Sequence, residues 1–403
     1  MPEAPVPLSL VKDLARHLRA GHPWVFSRAL ERPPRGLPAG AIVDLTEGGR
    51  FVARGYYDPH SPIAVRVLTR DPADAIDANF WRRRVAQAAR HRERVLDLSA
   101  TDAYRVVHGE GDHVPGVVVD RYADFAVIKL YSAGLATHRA AILDAVRSAL
   151  PVRGIYSREE AARDDDPATA GDENPKGSVA WGAAPPERIT IREEGVPFLV
   201  DVRLGQKTGF FLDQRENRRA LRRYARGRAR ALNCFGYTGG FSVQAALGGA
   251  AQVTTVDQDA DALALARENF SVNGLDPNVH EFVPGDVFAF LADCKARGEK
   301  YDLVVLDPPA FAKSQRTVDA ALAGYASLHR AALAVLSQGG ILATASCSAR
   351  VTPEAFLEAV KEAAFKSHTD LSLLEARGQA PDHPVPMQFQ EGRYLKFFVL
   401  ARM

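Results

Sequence analysis

Cysteine is scarce in this chain: Cys234, Cys294 and Cys347 are the three present, an odd number set far apart. That spacing excludes a disulfide framework and a metal-ligand pattern, so each is read singly as a reduced thiol. Charge of one sign is equally lacking. Lys and Arg number 51 against 49 Asp and Glu, a formal net charge of +2, so any polyanion-binding surface has to come from local clustering. No apolar run approaches the roughly 20 residues of a membrane span. The first residues, MPEAPVPLSLVKDL, lack the basic-then-apolar layout of a secretory signal, which predicts a cytoplasmic protein. No internal repeat is evident.

What is present predicts an ordinary globular protein, with 46% hydrophobic and 25% charged residues. A length of 403 residues exceeds what one core supports, so two or three domains are expected. Residues 1–72 read as a small β-barrel: AIVDLTE, RFVARGYY and PIAVRVLT are short β-runs punctuated by Gly, Pro and Asp turns. Residues 73–190 read as an α+β middle domain. It opens on a basic helix, Phe80 to Leu98, whose Phe80, Trp81, Val85, Ala88, Val95 and Leu96 form an apolar stripe opposite many arginines. The runs YRVVHGE, GVVVDRY and FAVIKLYS, a helix over Ala136 to Ala149 and the strand GIYSRE follow. Asp164 to Pro186, acidic and then rich in Gly, Ala and Pro, reads as a mobile loop or hairpin excursion. Within residues 191–403 the pattern becomes strict strand–helix alternation from RALNCF to YLKFFVLAR, a doubly wound α/β domain.

Ligands of open α/β sheets sit beyond the carboxyl ends of the strands, so the informative residues should follow each apolar run. After the first run come Phe235, Gly236, Tyr237, Thr238, Gly239 and Gly240, which allow a tight turn and close backbone approach at a helix N-terminus. Asp257 ends the second run about 20 residues on, the place from which a carboxylate accepts from ribose hydroxyls. Asp286 ends the third, where helix capping is a serious rival role. The glycine spacing G-x-x-G-G departs from the G-x-G-x-x-G dinucleotide fingerprint and excludes the nicotinamide reading. The series instead resembles the class I methyltransferases dependent on S-adenosylmethionine (SAM). In those the Gly loop holds the methionine part, Asp257 the ribose and Asp286 the adenine.

The fourth run ends in Asp307, Pro308, Pro309, Ala310 and Phe311. Two prolines make a rigid turn that fixes the carboxylate before them and the aromatic after them. In class I methyltransferases acting on bases, similar loops grip the target by hydrogen bonding, here from Asp307, and by stacking, here from Phe311; Pro308 and Pro309 shape the base site. Phe311 also reads as a core aromatic. Cys347 ends the fifth run at the same rim. Cytosine C5 is a poor nucleophile until a thiolate adds to C6, and a cysteine beside a base loop is what that chemistry requires. Cys234 and Cys294 read as packing thiols. Two arginine groups, Arg82 to Arg84 with Arg90, Arg92 and Arg94, and Arg222 and Arg223 with Arg226, Arg228 and Arg230, are candidates to neutralise phosphates, with a solvated helix face as the plain alternative.

Across the whole chain the sequence resembles the PUA-domain-containing, SAM-dependent 23S rRNA cytosine-C5 methyltransferases of the large-subunit methyltransferase I family. The residues that carry this are His22 to Ser27, Arg54 to Pro59, Gln206 to Arg215 (QKTGFFLDQR), Asn233 to Gly240 (NCFGYTGG), Asp307 to Phe311, SCS around Cys347, and Asp382 to Val385. The resemblance implies a PUA-like barrel, a middle domain, a Rossmann-like catalytic domain and a homodimer. It implies Cys347 as covalent nucleophile and a Lys207 to Gln214 block that helps enclose SAM, through Lys207, Thr208, Gly209, Phe210, Asp213 and Gln214; Asn233 and Asp307 join the cofactor-binding set. Many RNA cytosine-C5 methyltransferases carry a second cysteine after the first proline of the fourth-strand loop. Here Pro309 stands there, so another group, Asp307 or a water, has to take the C5 proton. The competing functions are methyl transfer to a guanine nitrogen without covalent catalysis, and a non-enzymatic RNA-binding assembly factor.

Overall fold

The computed structural model describes residues 4–11, 13–33, 35–158, 177–312 and 317–403. The chain divides into two compact units: Met1–Gly195 with Asp201–Leu212 and Pro381–Gly392, and Val196–Val200 with Asp213–Ala380 and Arg393–Met403.

The first unit contains two sheets. β1 (Val6–Ser9), β2 (Trp24–Phe26), β3 (Ile42–Glu47), β4 (Arg50–Tyr57) and β5 (Ile63–Thr69) form a sheet of order β1-β3-β4-β5-β2, and α1 (Ala15–Ala20) packs with it. Alternate side chains of β3, Val43 and Leu45, point into a core shared with Val25 and Val65, all fully buried. α2 (Ala78–Val95) starts where the Asp77 carboxylate accepts from Phe80 N at 2.8 Å. The second sheet has the order β10-β9-β8-β7-β6, from β6 (Ala103–His108), β7 (Val117–Tyr122), β8 (Phe125–Leu130), β9 (Gly154–Arg158) and β10 (Gly177–Gly182). α3 (Arg139–Ala149) connects β8 to β9, which run parallel, as a crossover requires. The excursion expected over Asp164 to Pro186 lies outside the described residues as far as residue 176. From Gly177 onward the chain is strand β10, antiparallel to β9.

The apolar stripe of α2 is shorter than its sequence suggests. Phe80, Trp81, Val85 and Ala88 are buried, but Val95 is 37% exposed and Arg92 is fully buried in its stead. Arg92 forms an ion pair with Asp112 and donates to the Arg105 carbonyl at 2.8 Å and the Asp382 carbonyl at 2.7 Å. Arg92 is therefore not a phosphate ligand. Its guanidinium is satisfied inside the protein by groups far away in sequence.

The strand β11 (Ile189–Glu193) ends the continuous part of the first unit, and β12 (Val196–Val200) belongs to the second. There the chain alternates as the sequence predicts: α4 (Arg215–Ala225), β13 (Arg230–Cys234), α5 (Gly240–Leu247), β14 (Gln252–Asp257), α6 (Ala260–Val272), β15 (Glu281–Pro284), α7 (Val287–Ala296), β16 (Tyr301–Leu306), α8 (Val318–Val335), β17 (Leu336–Ser346) and α9 (Pro353–Lys366). β18 (Leu371–Arg377) and β19 (Lys396–Arg402) complete a seven-stranded sheet of order β15-β14-β13-β16-β17-β19-β18. The strands are parallel from β15 to β17, and β19 and β18 add antiparallel pairings. Both faces are covered, which explains the near-continuous apolar runs. The strand order reverses between β14 and β16 at β13, the switch point where such sheets open a crevice. None of the described helices is long and apolar enough to cross a membrane.

Arg92→Ala leaves Asp112 as an uncompensated buried carboxylate, so we expect a loss of about 3–5 kcal/mol from the first unit. All three tryptophans, Trp24, Trp81 and Trp181, belong to that unit, so urea unfolding followed by tryptophan fluorescence reads it. A loss below about 1 kcal/mol, the range of exposed ion pairs, contradicts the structural role.

Candidate active site

Register brings the strand ends of the second unit to one rim. Cys234 pairs with Val256 of β14 and with Leu306 of β16, so the segments that follow, Phe235 onward, Asp257 and Asp307, emerge side by side.

The loop after β13 is strained. Phe235 and Tyr237 have φ of 59° and 45°, and Gly239 has φ of 79°; left-handed conformations in two aromatic residues are costly and cluster at functional sites. Gly236 is required by space: a Cβ there would meet Thr255 Cγ2 at 2.4 Å. The Asp257 carboxylate holds the loop, accepting from Tyr237 N at 2.7 Å and from Asp259 N at 3.0 Å. A carboxylate has about four acceptor sites, which leaves capacity for ribose hydroxyls. Asn233 Oδ1 and Thr238 Oγ1 are buried without a hydrogen-bond partner among the described residues. An unpaired buried polar atom costs about 1–3 kcal/mol, so a polar ligand at this loop suits the residues present. Asp286 is exposed and caps α7, its Oδ1 accepting from Ala289 N at 2.9 Å, while Gln258 donates to Oδ2 at 3.3 Å. The capping role weighed from sequence is present.

The QKTGFFLDQR block divides. Lys207, Thr208, Gly209 and Phe210 belong to the first unit, where the Thr208 hydroxyl donates to Asp120 at 2.5 Å and Phe210 N donates to the Tyr122 hydroxyl at 3.2 Å. Phe210 is a buried residue of that unit. Asp213 and Gln214 belong to the second unit and converge on Asp307. Gln214 Nε2 donates to Asp307 Oδ1 at 3.0 Å, and Tyr394 OH donates to Asp213 Oδ2 at 2.6 Å. Burial, with Asp213 adding like-charge repulsion, pushes the Asp307 carboxyl up to about 7, although Arg218 and the Gln214 amide oppose the rise. Asp307 thus sits where a proton acceptor at neutral pH needs to be.

Pro308 is buried and Pro309 exposed. Phe311 is partly buried and its ring lies 4.7 Å from that of Tyr325, so one face leans on the core and it is not a free platform on both sides. Cys347, which follows β17, is partly exposed, whereas Cys234 and Cys294 are fully buried and burial pushes both of those thiols up. Cys347 Sγ lies 4.0 Å from the Pro308 carbonyl oxygen. The thiol and the D-P-P loop therefore meet, as the alternation rule predicts.

Sequence reading missed the residues that hold this meeting point. Tyr325 OH shares hydrogen bonds with Ser346 Oγ at 2.9 Å and Ser348 Oγ at 3.1 Å, bracketing Cys347. Lys396 is buried on β19, donating from Nζ to Ser348 O at 2.6 Å and Tyr394 O at 2.8 Å. Tyr325 sits inside a helix and Lys396 at a strand start, and nothing local marks either. Of the second arginine group, Arg223 pairs with Glu375, Arg230 with Glu299, and Arg228 donates to carbonyls of Tyr224 and Gly339. These three are engaged within the fold.

A model of S-adenosylmethionine-dependent methyltransferases matches residues 105–387, and one of a PUA-like domain matches residues 8–70. The Escherichia coli K12 protein named ribosomal RNA large subunit methyltransferase I is 41% identical over 400 residues, 99% of this chain and 100% of its own length. Among solved structures, a candidate SAM-dependent methyltransferase from Streptococcus mutans is 26% identical with a TM-score of 0.84, covering 98% of this chain and 100% of that one. A candidate methyltransferase complexed with SAH is 25% identical, also with a TM-score of 0.84, over 99% and 100%. The reversal of strand order at β13, the strained glycine loop and Asp257 agree with these likenesses: the chain belongs to the SAM-dependent methyltransferases with an N-terminal PUA-like domain, in the ribosomal RNA large subunit methyltransferase I family.

Proposed function

We propose that this enzyme methylates C5 of a cytosine in large-subunit (23S) ribosomal RNA through a covalent Cys347 adduct. The observation that carries the reading is the placement of Cys347, partly exposed and 4.0 Å from the Pro308 carbonyl of the base loop, while the other two cysteines are sealed in cores. The E. coli relative's name supports the RNA substrate.

In this reading Asn233 and the Phe235 to Gly239 loop hold the methionine part of SAM, Asp257 the ribose and Asp286 the adenine, with Asp213, Gln214 and Asp307 completing the enclosure; a share for Lys207 to Phe210 rests on the family resemblance alone. SAM, when bound, would supply an electrophilic methyl, its S–CH3 bond breaking as the C5–CH3 bond forms and SAH departing. Phe311 stacks on the cytosine through the face not taken by Tyr325, and Pro308 and Pro309 wall its pocket. The Cys347 thiolate adds to C6, forming the S–C6 bond and delivering the C5=C6 π pair to C5. Once C5 is methylated, Asp307 takes its remaining proton, and elimination of the thiolate restores the aromatic ring. A carboxyl poised near 7 is ionised often enough at neutral pH to accept that proton. The division into a PUA-like barrel (1–72), a middle domain (73–190) and a catalytic domain (191–403), a homodimeric assembly and a cytoplasmic location belong to the same reading and rest on the family resemblance.

Incubation with SAM and undermethylated large-subunit rRNA, followed by nucleoside mass spectrometry, should yield 5-methylcytidine with the wild type and none with Cys347→Ala, whose SAM affinity stays unchanged. A methylguanosine, or 5-methylcytidine from the variant, overturns the proposal. Asp257→Ala should weaken SAM binding about 10- to 100-fold, the value of ~1.5–3 kcal/mol for hydrogen bonds to a charged acceptor, and leave RNA affinity intact; calorimetry showing equal loss of both removes the ribose role. Asp307→Asn should lower kcat about 100-fold or more and let an SDS-resistant RNA adduct accumulate. In the wild type, the rate after adduct formation should rise as pH climbs through about 7, because the base form of Asp307 is the active one. Absence of adduct build-up in the variant removes Asp307 as the proton acceptor.

A further inference from the structure

Lys396 is placed in a way that packing does not explain. Its side chain is in the core, 2% exposed, and none of the described carboxylates pairs with it. An ammonium carries three donors; Ser348 O and Tyr394 O take two of them, at 2.6 and 2.8 Å. Moving a cation out of water onto neutral carbonyls alone is unfavourable unless an anion shares the site. The register supplies the candidate. Lys396 is paired with Ser346, the last residue of β17; Cys347 is the next residue and Ser348, whose carbonyl Nζ holds, the one after.

We propose that the buried Lys396 ammonium is the counter-cation of Cys347, holding the Ser346–Ser348 turn and stabilising the thiolate beside it so that the nucleophile is ionised near neutral pH. This rests on the reading of Cys347 as the attacking thiol. The thiol proton leaves to solvent before attack, and Lys396 keeps its own proton throughout. Burial brings Lys396 down to about 8, and Cys347 is the group whose charge opposes that fall; thiolate and ammonium favour each other's charged forms. The other titratable groups at the turn do not supply the charge. Tyr325, from α8, is pushed up to about 12 by burial and stays neutral, its hydroxyl engaged with Ser346 and Ser348. Asp307, on the loop whose Pro308 carbonyl lies 4.0 Å from Sγ, works against a thiolate whenever it is ionised. A fixed cation on the β19 side offsets it.

The test is iodoacetamide alkylation of Cys347 in the full-length protein as a function of pH, read by peptide mass spectrometry, with the buried Cys234 and Cys294 as internal controls. In the wild type the midpoint should fall below the ordinary cysteine value of about 8.5. Lys396→Met should raise it by about one unit, slowing alkylation about tenfold at neutral pH, while SAM affinity is retained; Lys396→Arg should keep the wild-type midpoint. Single-turnover methylation by Lys396→Met should be slow at neutral pH and recover at high pH, which a merely structural lesion would not do. A wild-type midpoint at or above about 8.5 overturns the proposal even if Lys396→Met fails to fold, and so does an unchanged midpoint in a folded variant. Turnover retained by Cys347→Ala sinks the covalent mechanism separately, because alkylation reads the thiolate whether or not it attacks cytosine.

Discussion

The register of the central parallel strands is the constraint on which the catalytic unit depends. Side chains alternate along a strand with period two, so a one-residue slip turns every side chain to the opposite face. Here β13 pairs with β14 and β16 so that Cys234 lies opposite Val256 and Leu306, and β17 is paired to β16 and β19 through Leu306↔Thr344 and Ser346↔Lys396. Those pairings decide that the glycine loop, Asp257, Asp307 and Cys347 leave the sheet at one rim. Burial of nearly every residue in β13, β16 and the second half of β17 specifies the register, because any slip would trade core contacts for misfit.

On that rim the protein places charge where water is partly excluded. Asp307 accepts from the Gln214 amide, and desolvation with like-charge repulsion from Asp213 makes its carboxyl hold a proton to unusually high pH. Lys396 experiences the same burial with the opposite consequence and releases its proton more easily than an exposed lysine. Burial thus disfavours the charged form of each group, raising the carboxyl and lowering the ammonium, a fall that the Cys347 charge opposes. Neither arrangement is what stability alone would select, since buried charge is stabilising only when its partners are complete. Perturbed groups gathered beside the D-P-P loop and a partly exposed thiol make this rim a candidate chemical site.

Much of this was legible in the amino-acid sequence because the relevant elements are local. Strands covered on both faces appear as unbroken apolar runs, so the residues that follow their carboxyl ends, Asp257, Asp307, Phe311 and Cys347, could be placed at one rim from position alone. β18 escaped notice because its Leu373 and Leu374 are both exposed and a register shift between Leu373 and Glu375 breaks the alternation. Arg92 was misread because its basic neighbours made it look like part of a solvated face; Asp112, the Arg105 carbonyl and the Asp382 carbonyl, which bury it, lie 20, 13 and 290 residues away. Tyr325 and Lys396 were invisible for the same reason. Their roles exist only once a helix and an antiparallel strand are laid against β17. Phe210 and Asp213 are three residues apart yet serve different compact units, a division that no periodicity announces.

The most direct test of the covalent account is to trap its adduct with large-subunit rRNA in which 5-fluorocytidine replaces cytidine. Fluorine at C5 cannot leave as a proton, so a thiolate that has added to C6 stays bonded after methyl transfer. The account predicts an SDS-resistant protein–RNA complex that forms only with SAM present and maps to the peptide bearing Cys347 after digestion. Methylation of ordinary rRNA with no such complex, or a complex mapping to Cys234 or Cys294, would contradict it.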